Sequence, residues 1–216
     1  MIWDWSYTLD ILPDLLRGLV VTVQATLVGS VVAMVLGLVF ALLRRSRLAV
    51  VRVVTGGFVE FVRSTPLLVQ LYFLFFVLPS LGITLSGFQA GVIGLGVHYA
   101  TYTSEVYRAG IEGVPRGQWE AATALNLPTS RVWRSVILPQ AIPRVLPALG
   151  NYVIAMFKET PLLSAITVLE MLAVAKDLGG QTFRYLEPLT LVGLLFLLVS
   201  LPASLTVRRL ERRFGH

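Results

Sequence analysis

Long apolar stretches separated by short polar segments run through the whole chain. Residues 18–43 contain no charged side chain, and residues 64–104 contain no Asp, Glu, Lys or Arg. Since one membrane-crossing helix needs about 20 mostly apolar residues, the first stretch predicts one span, and the second predicts two spans separated by a turn near residues 79–87. A fourth apolar stretch starts near Pro147, and a fifth covers residues 189–207. We therefore expect an all-α integral membrane protein with five transmembrane helices, formed by residues 1–216 as a single domain.

Two shorter segments differ from the apolar stretches. Residues 1–14 are acidic and aromatic, which is typical of a short outer segment with an interfacial helix. Residues 48–61 mix apolar positions with Arg52 and Glu60, which predicts an elbow helix on the inner membrane surface that turns into the bilayer at Pro66. Composition agrees with a membrane protein, because 56% apolar residues and a mean hydropathy of +0.77 exceed the values of soluble domains, which are roughly 45 to 50% apolar.

Positive charge is concentrated on one side of the predicted spans. Arginines follow span one, fill the segment between spans three and four, and close the chain, at positions Arg44, Arg45, Arg47, Arg52, Arg108, Arg116, Arg131, Arg134, Arg144, Arg208, Arg209, Arg212 and Arg213. Because Lys and Arg accumulate in short cytoplasmic loops, we expect a plasma-membrane protein with its N-terminus outside, its C-terminus in the cytoplasm and a cytoplasmic loop of about residues 108–146. The pI of 10.1 follows from this topology and from contact with anionic lipid headgroups, so we expect no nucleic-acid binding.

The predicted cytoplasmic loop contains a short helix with its own start and stop. Residues 115–128 read PRGQWEAATALNLP. Gly117 follows a proline at the start, Glu120 is expected in the first turn, where a carboxylate interacts favourably with the helix dipole, and the alanines that follow favour helix. Asn126 tolerates the left-handed conformation that ends helices, and Pro128 prevents continuation. A polar helix held between membrane spans predicts contact with another protein.

This loop resembles the cytoplasmic EAA loop of the transmembrane subunits of ATP-binding-cassette (ABC) importers. In that family, Glu-Ala-Ala, a Gly four residues after the second Ala and a later Leu-Pro form the coupling helix that docks on the ATPase subunit. Here Asn126 replaces the Gly and Val136 replaces an Ile, and both keep the left-handed cap and the β-branched apolar contact. The resemblance implies the type I ABC importer permease fold. It also implies an ATPase-coupling site at Gly117, Glu120, Ala121, Ala122, Asn126, Leu138 and Pro139.

Four further segments are similar to the polar-amino-acid branch of the same family, so that the resemblance covers nearly the whole chain. They are FVRSTPLLVQ at 61–70, SEVYRAGI at 104–111, LPQA at 138–141 and KETPL at 158–162. The opening Trp3-Asp4-Trp5 with Ile11-Leu12-Pro13 is more narrowly similar to permeases for ectoine and hydroxyectoine. The resemblance implies an importer that moves polar amino acids or ectoine-like compatible solutes into the cell. The implied partners are a second permease subunit, identical or paralogous, two ATP-binding subunits and an extracytoplasmic solute-binding protein.

The charged pair Lys158-Glu159 belongs to the predicted fourth span. If Pro147 marks the inner interface, Lys158 lies eleven residues further, about 16 Å into the bilayer at ~1.5 Å per residue and near its midplane. Charge at that depth is expensive unless it faces protein or water, and Pro161 interrupts the helix as in other broken helices that form solute sites. The alternative is a span that starts later and leaves both charges at the outer interface as snorkelling side chains.

Polar residues of spans three and four form the candidate substrate pathway: His98, Tyr102, Asn151, Lys158, Glu159 and Thr160. The alternative for His98 is a structural histidine bound to the carbonyl of a neighbouring helix, and the alternative for the tyrosines is packing. The candidate gate or structural residues are Arg63, Pro66, Gln70, Glu105 and Arg108. Glu105 and Arg108 form an i,i+3 pair, which either holds the cytoplasmic gate or is a local ion pair.

The sequence lacks the residues that would make the chain an enzyme or an ATPase. No GxxxxGK[ST] segment occurs, so ATP is expected on a partner subunit and no cofactor on this chain. With no Cys, and with His98 and His216 as its histidines, the chain offers no clustered metal site. A membrane-embedded hydrolase or redox subunit would have only His98, Lys158 and Glu159 available, so no catalytic residue is expected. The alternative function is an ATPase-independent channel or secondary carrier for small polar solutes.

Overall fold

The computed structural model describes residues 3–214, with Phe214 described by its backbone only, so that His216 lies outside the described residues. Helices account for the architecture of this part of the chain. They are α1 (Trp5–Leu43), α2 (Ala49–Arg63), α3 (Leu67–Tyr72), α4 (Gly87–Glu112), α5 (Arg116–Ala124), α6 (Thr129–Arg131), α7 (Leu138–Glu159), α8 (Met171–Thr182) and α9 (Leu186–Phe214). π-helical turns continue α3 over Phe73–Val77 and precede α7 over Val132–Ile137, and 3₁₀ turns occupy Leu78–Leu81 and Thr160–Ile166.

Helix α1 is a single helix of 39 residues. Its N-terminus is capped by Asp4, whose carboxylate accepts hydrogen bonds from the backbone N–H groups of Ser6 and Tyr7 at 3.0 and 3.1 Å. The expectation of a separate outer segment over residues 1–14 is therefore wrong. Pro13 lies inside the helix without ending it.

Small residues allow α1 and α4 to pack closely. A methyl group added at Gly96 would lie 2.5 Å from Val32 of α1, and one added at Gly29 would lie 3.5 Å from Leu95 of α4. Glycine is enriched at such contacts because it lets two helix backbones approach. The hydroxyl of Thr103 crosses this contact and donates to the carbonyl of Ala33 at 2.9 Å.

The predicted elbow is present at the junction of α2 and α3. Helix α2 and the segment Leu67–Leu81 meet at an angle of 103°, and Pro66 is the residue that caps α3. The Gln70 side chain closes this bend by donating to the carbonyl of Val62 at 2.7 Å and to the carbonyl and hydroxyl of Thr65 at 3.1 and 2.8 Å. These bonds tie the start of α3 to the end of α2 across the bend.

Helix α7 ends where the sequence predicts an interruption. It accommodates Pro143 and Pro147 within its length and stops at Glu159. The 3₁₀ segment Thr160–Ile166 follows, with Pro161 in its first turn, and its C-cap Thr167 adopts a left-handed conformation with φ of 66°.

The predicted number of five membrane spans is not confirmed. Among the residues described, two helices, Trp5–Leu43 and Leu186–Arg213, are long and apolar enough to cross a membrane, and the bent pair Ala49–Arg63 and Leu67–Leu81 adds a third if it forms one span. Helices α4 and α7 are less apolar, because they carry polar and charged residues such as His98 and Lys158. Their crossing of the membrane stays a prediction.

Candidate functional site

Helix α5 is the short helix predicted in the loop between the apolar stretches. Asn126 adopts a φ of 49°, and the backbone N–H groups of Asn126 and Leu127 donate to the carbonyls of Thr123 and Ala122 at 2.9 and 3.1 Å. This hydrogen-bond pair with a left-handed residue is the Schellman ending, so Asn126 acts as the predicted helix stop. Glu120, however, is the fifth residue of the helix, and the first turn contains no acidic residue. The expected interaction of Glu120 with the first turn is therefore wrong.

One face of α5 is anchored on an apolar cluster at the ends of α4 and α7. Ala122 is 3% exposed, and the Trp119 ring lies 5.5 Å from that of Trp133 in an edge-to-face arrangement. The cluster beneath them consists of Ile111, Val114, Ile137 and Ala141, with Trp119, Val132, Trp133 and Val136 packed around it. Trp119 of α5 is therefore packed in a close-packed apolar cluster with residues near the ends of α4 and α7.

The opposite face of α5 is exposed. Glu120 and Ala121 are exposed, and an added Cβ at Gly117 meets nothing within 4 Å. Leu125, one helical turn after Ala121, is 72% exposed. Leu138 and Pro139 are also exposed at the start of α7. Sequence reasoning missed Leu125, although its i,i+4 spacing from Ala121 could have placed both residues on one face.

Aromatic side chains from α4 and α7 form a cluster in the interior, which we call the aromatic cluster: His98, Tyr99, Tyr102 and Tyr152. The Tyr102 ring lies 5.3 Å from that of His98 and 5.7 Å from that of Tyr152, and the Tyr99 and Tyr152 rings are 6.0 Å apart. His98 and Tyr99 are 8% and 4% exposed. Tyr152 was not predicted, because its position in α7 shows no polar pattern that would single it out.

Glu159 faces this cluster at the end of α7. Glu159 interacts electrostatically with His98 and Tyr99 of the cluster. Oε2 of Glu159 is buried and has no hydrogen-bond partner within residues 3–214. Since buried polar atoms are nearly always bonded, this oxygen is suited to accept a hydrogen bond from a ligand.

Phe157, two residues before Glu159, shows which part of α9 lies beside this end of α7. Its ring lies 5.0 Å from that of Phe196, which is near the middle of the apolar stretch that begins at Leu186 and ends before Arg208.

His98 is also connected to the bend between α2 and α3. Its Nδ1 lies 3.2 Å from Oε1 of Gln70. Because Nε2 of Gln70 donates to Val62 and Thr65, Oε1 is the acceptor, and Nδ1 of His98 is the donor. The partner of His98 is thus a side-chain amide, and not the backbone carbonyl considered as the structural alternative.

Glu105 is the centre of a charged cluster near the C-terminal end of α4. One of its oxygens receives a short hydrogen bond from Arg44, and the other accepts from Arg108 at 2.7 Å. Arg108 also pairs with Glu112 at 2.6 Å, and Arg63 lies 3.9 Å from Glu105. The predicted i,i+3 pair is present, within a cluster that joins α1, α2 and α4.

Three of the predicted pathway residues bond to other groups or are exposed. The Asn151 amide donates to Glu211 of α9 at 3.0 Å, and Lys158 is exposed. Thr160 is buried, and its hydroxyl donates to the carbonyl of Phe157 at 2.7 Å. The structure therefore brings together His98, Tyr102 and Glu159 from the predicted set.

Comparison with known proteins gives consistent similarities over this whole arrangement. Residues 33–216 match the family of "Binding-protein-dependent transport system inner membrane component". The chain is 50% identical over 205 residues to the probable amino-acid ABC transporter permease protein y4tG of Sinorhizobium fredii, covering 95% of this chain and 89% of that protein. It is 33% identical to the arginine transport system permease protein ArtQ of Bacillus subtilis, covering 97% and 96% of the two chains. Among solved structures, a crystal structure of an amino acid ABC transporter with histidines superposes with a TM-score of 0.92 at 34% identity, covering 99% of this chain and 100% of that chain.

Proposed function

Because the chain belongs to the family of binding-protein-dependent transport system inner membrane components, we propose that it is the transmembrane subunit of an ATP-driven importer of polar amino acids or ectoine-like compatible solutes. Members of this family are multi-pass plasma-membrane permeases of ABC transporters, and the ATP site lies in a partner subunit. They associate with an ATPase and with a substrate-binding protein. The proposal adds that transport is inward, which class of substrate is carried, and which residues contact the ATPase and the substrate.

The observation that carries the proposal is the way α5 packs against the rest of the protein. This helix combines an exposed face, which includes Glu120 and Ala121, with a buried face on which Trp119 packs against the apolar cluster of Ile111, Val114, Ile137 and Ala141. A force applied to the exposed face by an ATPase would reach the two helices that carry the aromatic cluster. We assign ATPase coupling to Gly117, Glu120, Ala121, Ala122, Asn126, Leu138 and Pro139.

The proposed assembly contains two permease subunits, identical or paralogous, two ATP-binding subunits and an extracytoplasmic solute-binding protein. Residues 1–216 form one permease domain, with the loop of about residues 108–146 and the C-terminus in the cytoplasm and the N-terminus outside. The distribution of arginines supports this orientation. ATP binding brings the two coupling helices together and opens the pathway toward the binding protein, and hydrolysis resets it.

The proposed substrate site is the aromatic cluster with Glu159. A carboxylate with an unbonded buried oxygen is suited to an ammonium or guanidinium group, and aromatic rings bind such cations through their faces. This chemistry supports a zwitterionic or cationic amino acid, and the names of the relatives, which include arginine transport and amino-acid transport, support the same class. The proposed pathway centres on His98, Tyr102 and Glu159, and it extends along α7 and just past its end to Asn151, Lys158 and Thr160.

Coupling is tested by the variant Glu120→Lys. We expect it to insert into the membrane normally but to lose co-purification with the ATPase, because a carboxylate on the exposed face of α5 is reversed in charge. Normal recovery of the ATPase with this variant would refute the coupling assignment. Uptake in vesicles that contain this chain without any ATPase would instead support a channel or secondary carrier.

The substrate site is tested by Glu159→Gln in proteoliposomes that contain the complete importer. We expect an unchanged assembly and at least about tenfold weaker uptake of a cationic amino acid, since hydrogen bonds to charged groups contribute about 1.5–3 kcal/mol. Lys158→Met is measured beside it, and unchanged uptake kinetics would remove Lys158 from the pathway. A panel of arginine, histidine, glutamine and ectoine identifies the transported class.

A further inference from the structure

The charged cluster around Glu105 contains more positive than negative groups. Its cations are Arg44, Arg63 and Arg108, and its anions are Glu105 and Glu112. Arg44 and Arg108 occupy the two carboxylate oxygens of Glu105. One positive charge in the cluster is therefore not balanced by a carboxylate.

Arg63 is the guanidinium of this cluster that forms no hydrogen bond with a carboxylate among the described residues. Its Nη1 is 3.9 Å from Oε1 of Glu105, an oxygen already bonded to Arg44. This separation is too long for a hydrogen bond. The Arg63 side chain is 34% exposed, so its donors remain accessible to an incoming anion.

Tyr102 connects Arg63 to the aromatic cluster. The Arg63 Cζ lies 5.6 Å from the centre of the Tyr102 ring, and that same ring contacts His98 and Tyr152. The Arg63 guanidinium therefore lies directly beside one member of the cluster that Glu159 faces.

The backbone around Arg63 is also held in a fixed relation to this cluster. Arg63 is the last residue of α2, directly before the bend that Gln70 closes through Val62 and Thr65. The same Gln70 accepts from His98. Gln70 therefore links the backbone on both sides of Arg63 to His98 of the proposed substrate site.

We propose that Arg63 binds the carboxylate of the transported amino acid on its way from the aromatic cluster to the cytoplasm. This proposal rests on the proposed importer function and adds a specificity-determining residue to it. Guanidinium and carboxylate form two parallel hydrogen bonds, and the planar fork of arginine is required for this geometry. With Glu159 at one end and Arg63 at the other, the pathway presents opposite charges to the two ends of a zwitterion.

The test measures ligand affinity of the purified permease–ATPase complex by isothermal titration calorimetry, without the solute-binding protein. Three probe pairs are used: L-arginine, L-histidine and L-glutamine, each with its own carboxamide. We expect the wild-type complex to bind at least one amino acid about tenfold or more tightly than its amide. Arg63→Gln should reduce affinity for the amino acid to that of the amide and leave the amide unchanged, and Arg63→Lys should restore the preference only in part. Arg47→Gln, which removes an exposed arginine between α1 and α2, should keep the wild-type preference.

Two results would overturn the assignment of Arg63. One is an undiminished preference for the carboxylate in Arg63→Gln. The other is an equal loss of affinity for acid and amide, which indicates a structural role. If the wild-type complex binds none of the probes and drives no ATP-dependent uptake, the proposed substrate class fails, and the role of Arg63 fails with it. If Arg63→Gln does not assemble with the ATPase, Arg63→Lys is the deciding variant. It keeps the charge and should still show a smaller ratio of the affinity for the amino acid to the affinity for its amide.

Discussion

Leu125 provides the sharpest test of how the chain contacts its ATPase. It is a large apolar side chain, 72% exposed, at the C-terminal end of α5. Full burial of a leucine contributes about 1.5–3 kcal/mol, so covering the exposed part at an interface is worth about 1–2 kcal/mol. Each 1.4 kcal/mol is a factor of ten in affinity. We therefore expect Leu125→Ala to weaken ATPase binding several-fold, and Leu125→Asp to weaken it about tenfold or more.

The assay is a titration of the immobilised permease with the purified ATPase, followed by biolayer interferometry. Thermal unfolding of the permease alone should change little, because substitutions of exposed residues away from special features usually stay within about 0.5 kcal/mol. Ser130→Asp is the matched control, since it adds the same charge at an exposed position of the same loop. Unchanged ATPase affinity in Leu125→Asp would refute the apolar contact. An equal loss in Ser130→Asp would assign the effect to charge.

Two further predictions concern stability. Gly37→Ala would place a methyl group 2.9 Å from a backbone carbonyl of α4, so we expect the free energy of unfolding to fall by about 1–3 kcal/mol and the melting temperature in detergent to drop. Gly57→Ala is the control: its Cβ meets nothing within 4 Å, so the free energy of unfolding should rise by about 0.5–1 kcal/mol. Equal melting temperatures of the two variants would contradict the close α1–α4 contact. Hydrogen bonds from the backbone N–H of Tyr7 and from Arg184 lower the pKa of Asp4 below its usual value. A lowered folded-state pKa stabilises the protein above the unfolded value of about 3.9 and loses this contribution as pH falls through the folded value. The melting temperature of wild type should therefore exceed that of Asp4→Asn at pH 7, and the difference should shrink toward pH 3; a constant difference would contradict the lowered pKa.

Local signals predicted much of the coupling region and the elbow. The helix stop at Asn126 depends on the left-handed conformation of a single residue, and the bend at Pro66 depends on the restricted backbone of proline. Both features could therefore be predicted from a few adjacent residues in the sequence. The interruption after Glu159 follows from Pro161 in the same way. The position of Glu120 was predicted one turn too early, because the start of a helix without a capping side chain leaves a weak signal.

The candidate site could be predicted only in part. Glu159 and His98 were recognised as polar residues in apolar surroundings, and this signal is visible in the amino-acid sequence alone. Asn151 has the same signal but bonds Glu211, sixty positions away along the chain. Tyr152, next to it, has an ordinary helix composition around it and yet completes the aromatic cluster.

The membrane class, the apolar stretches, the elbow and the short helix of the loop could all be predicted from the amino-acid sequence. These follow from the solvent preference of each side chain and from backbone chemistry within a few residues. Only the tertiary structure decided that Arg44, Arg63 and Arg108 converge on Glu105, and that Glu159 faces the aromatic rings. Such contacts depend on the rotation and crossing of whole helices, which are set by close packing at small residues across the bundle and leave no local trace in the chain.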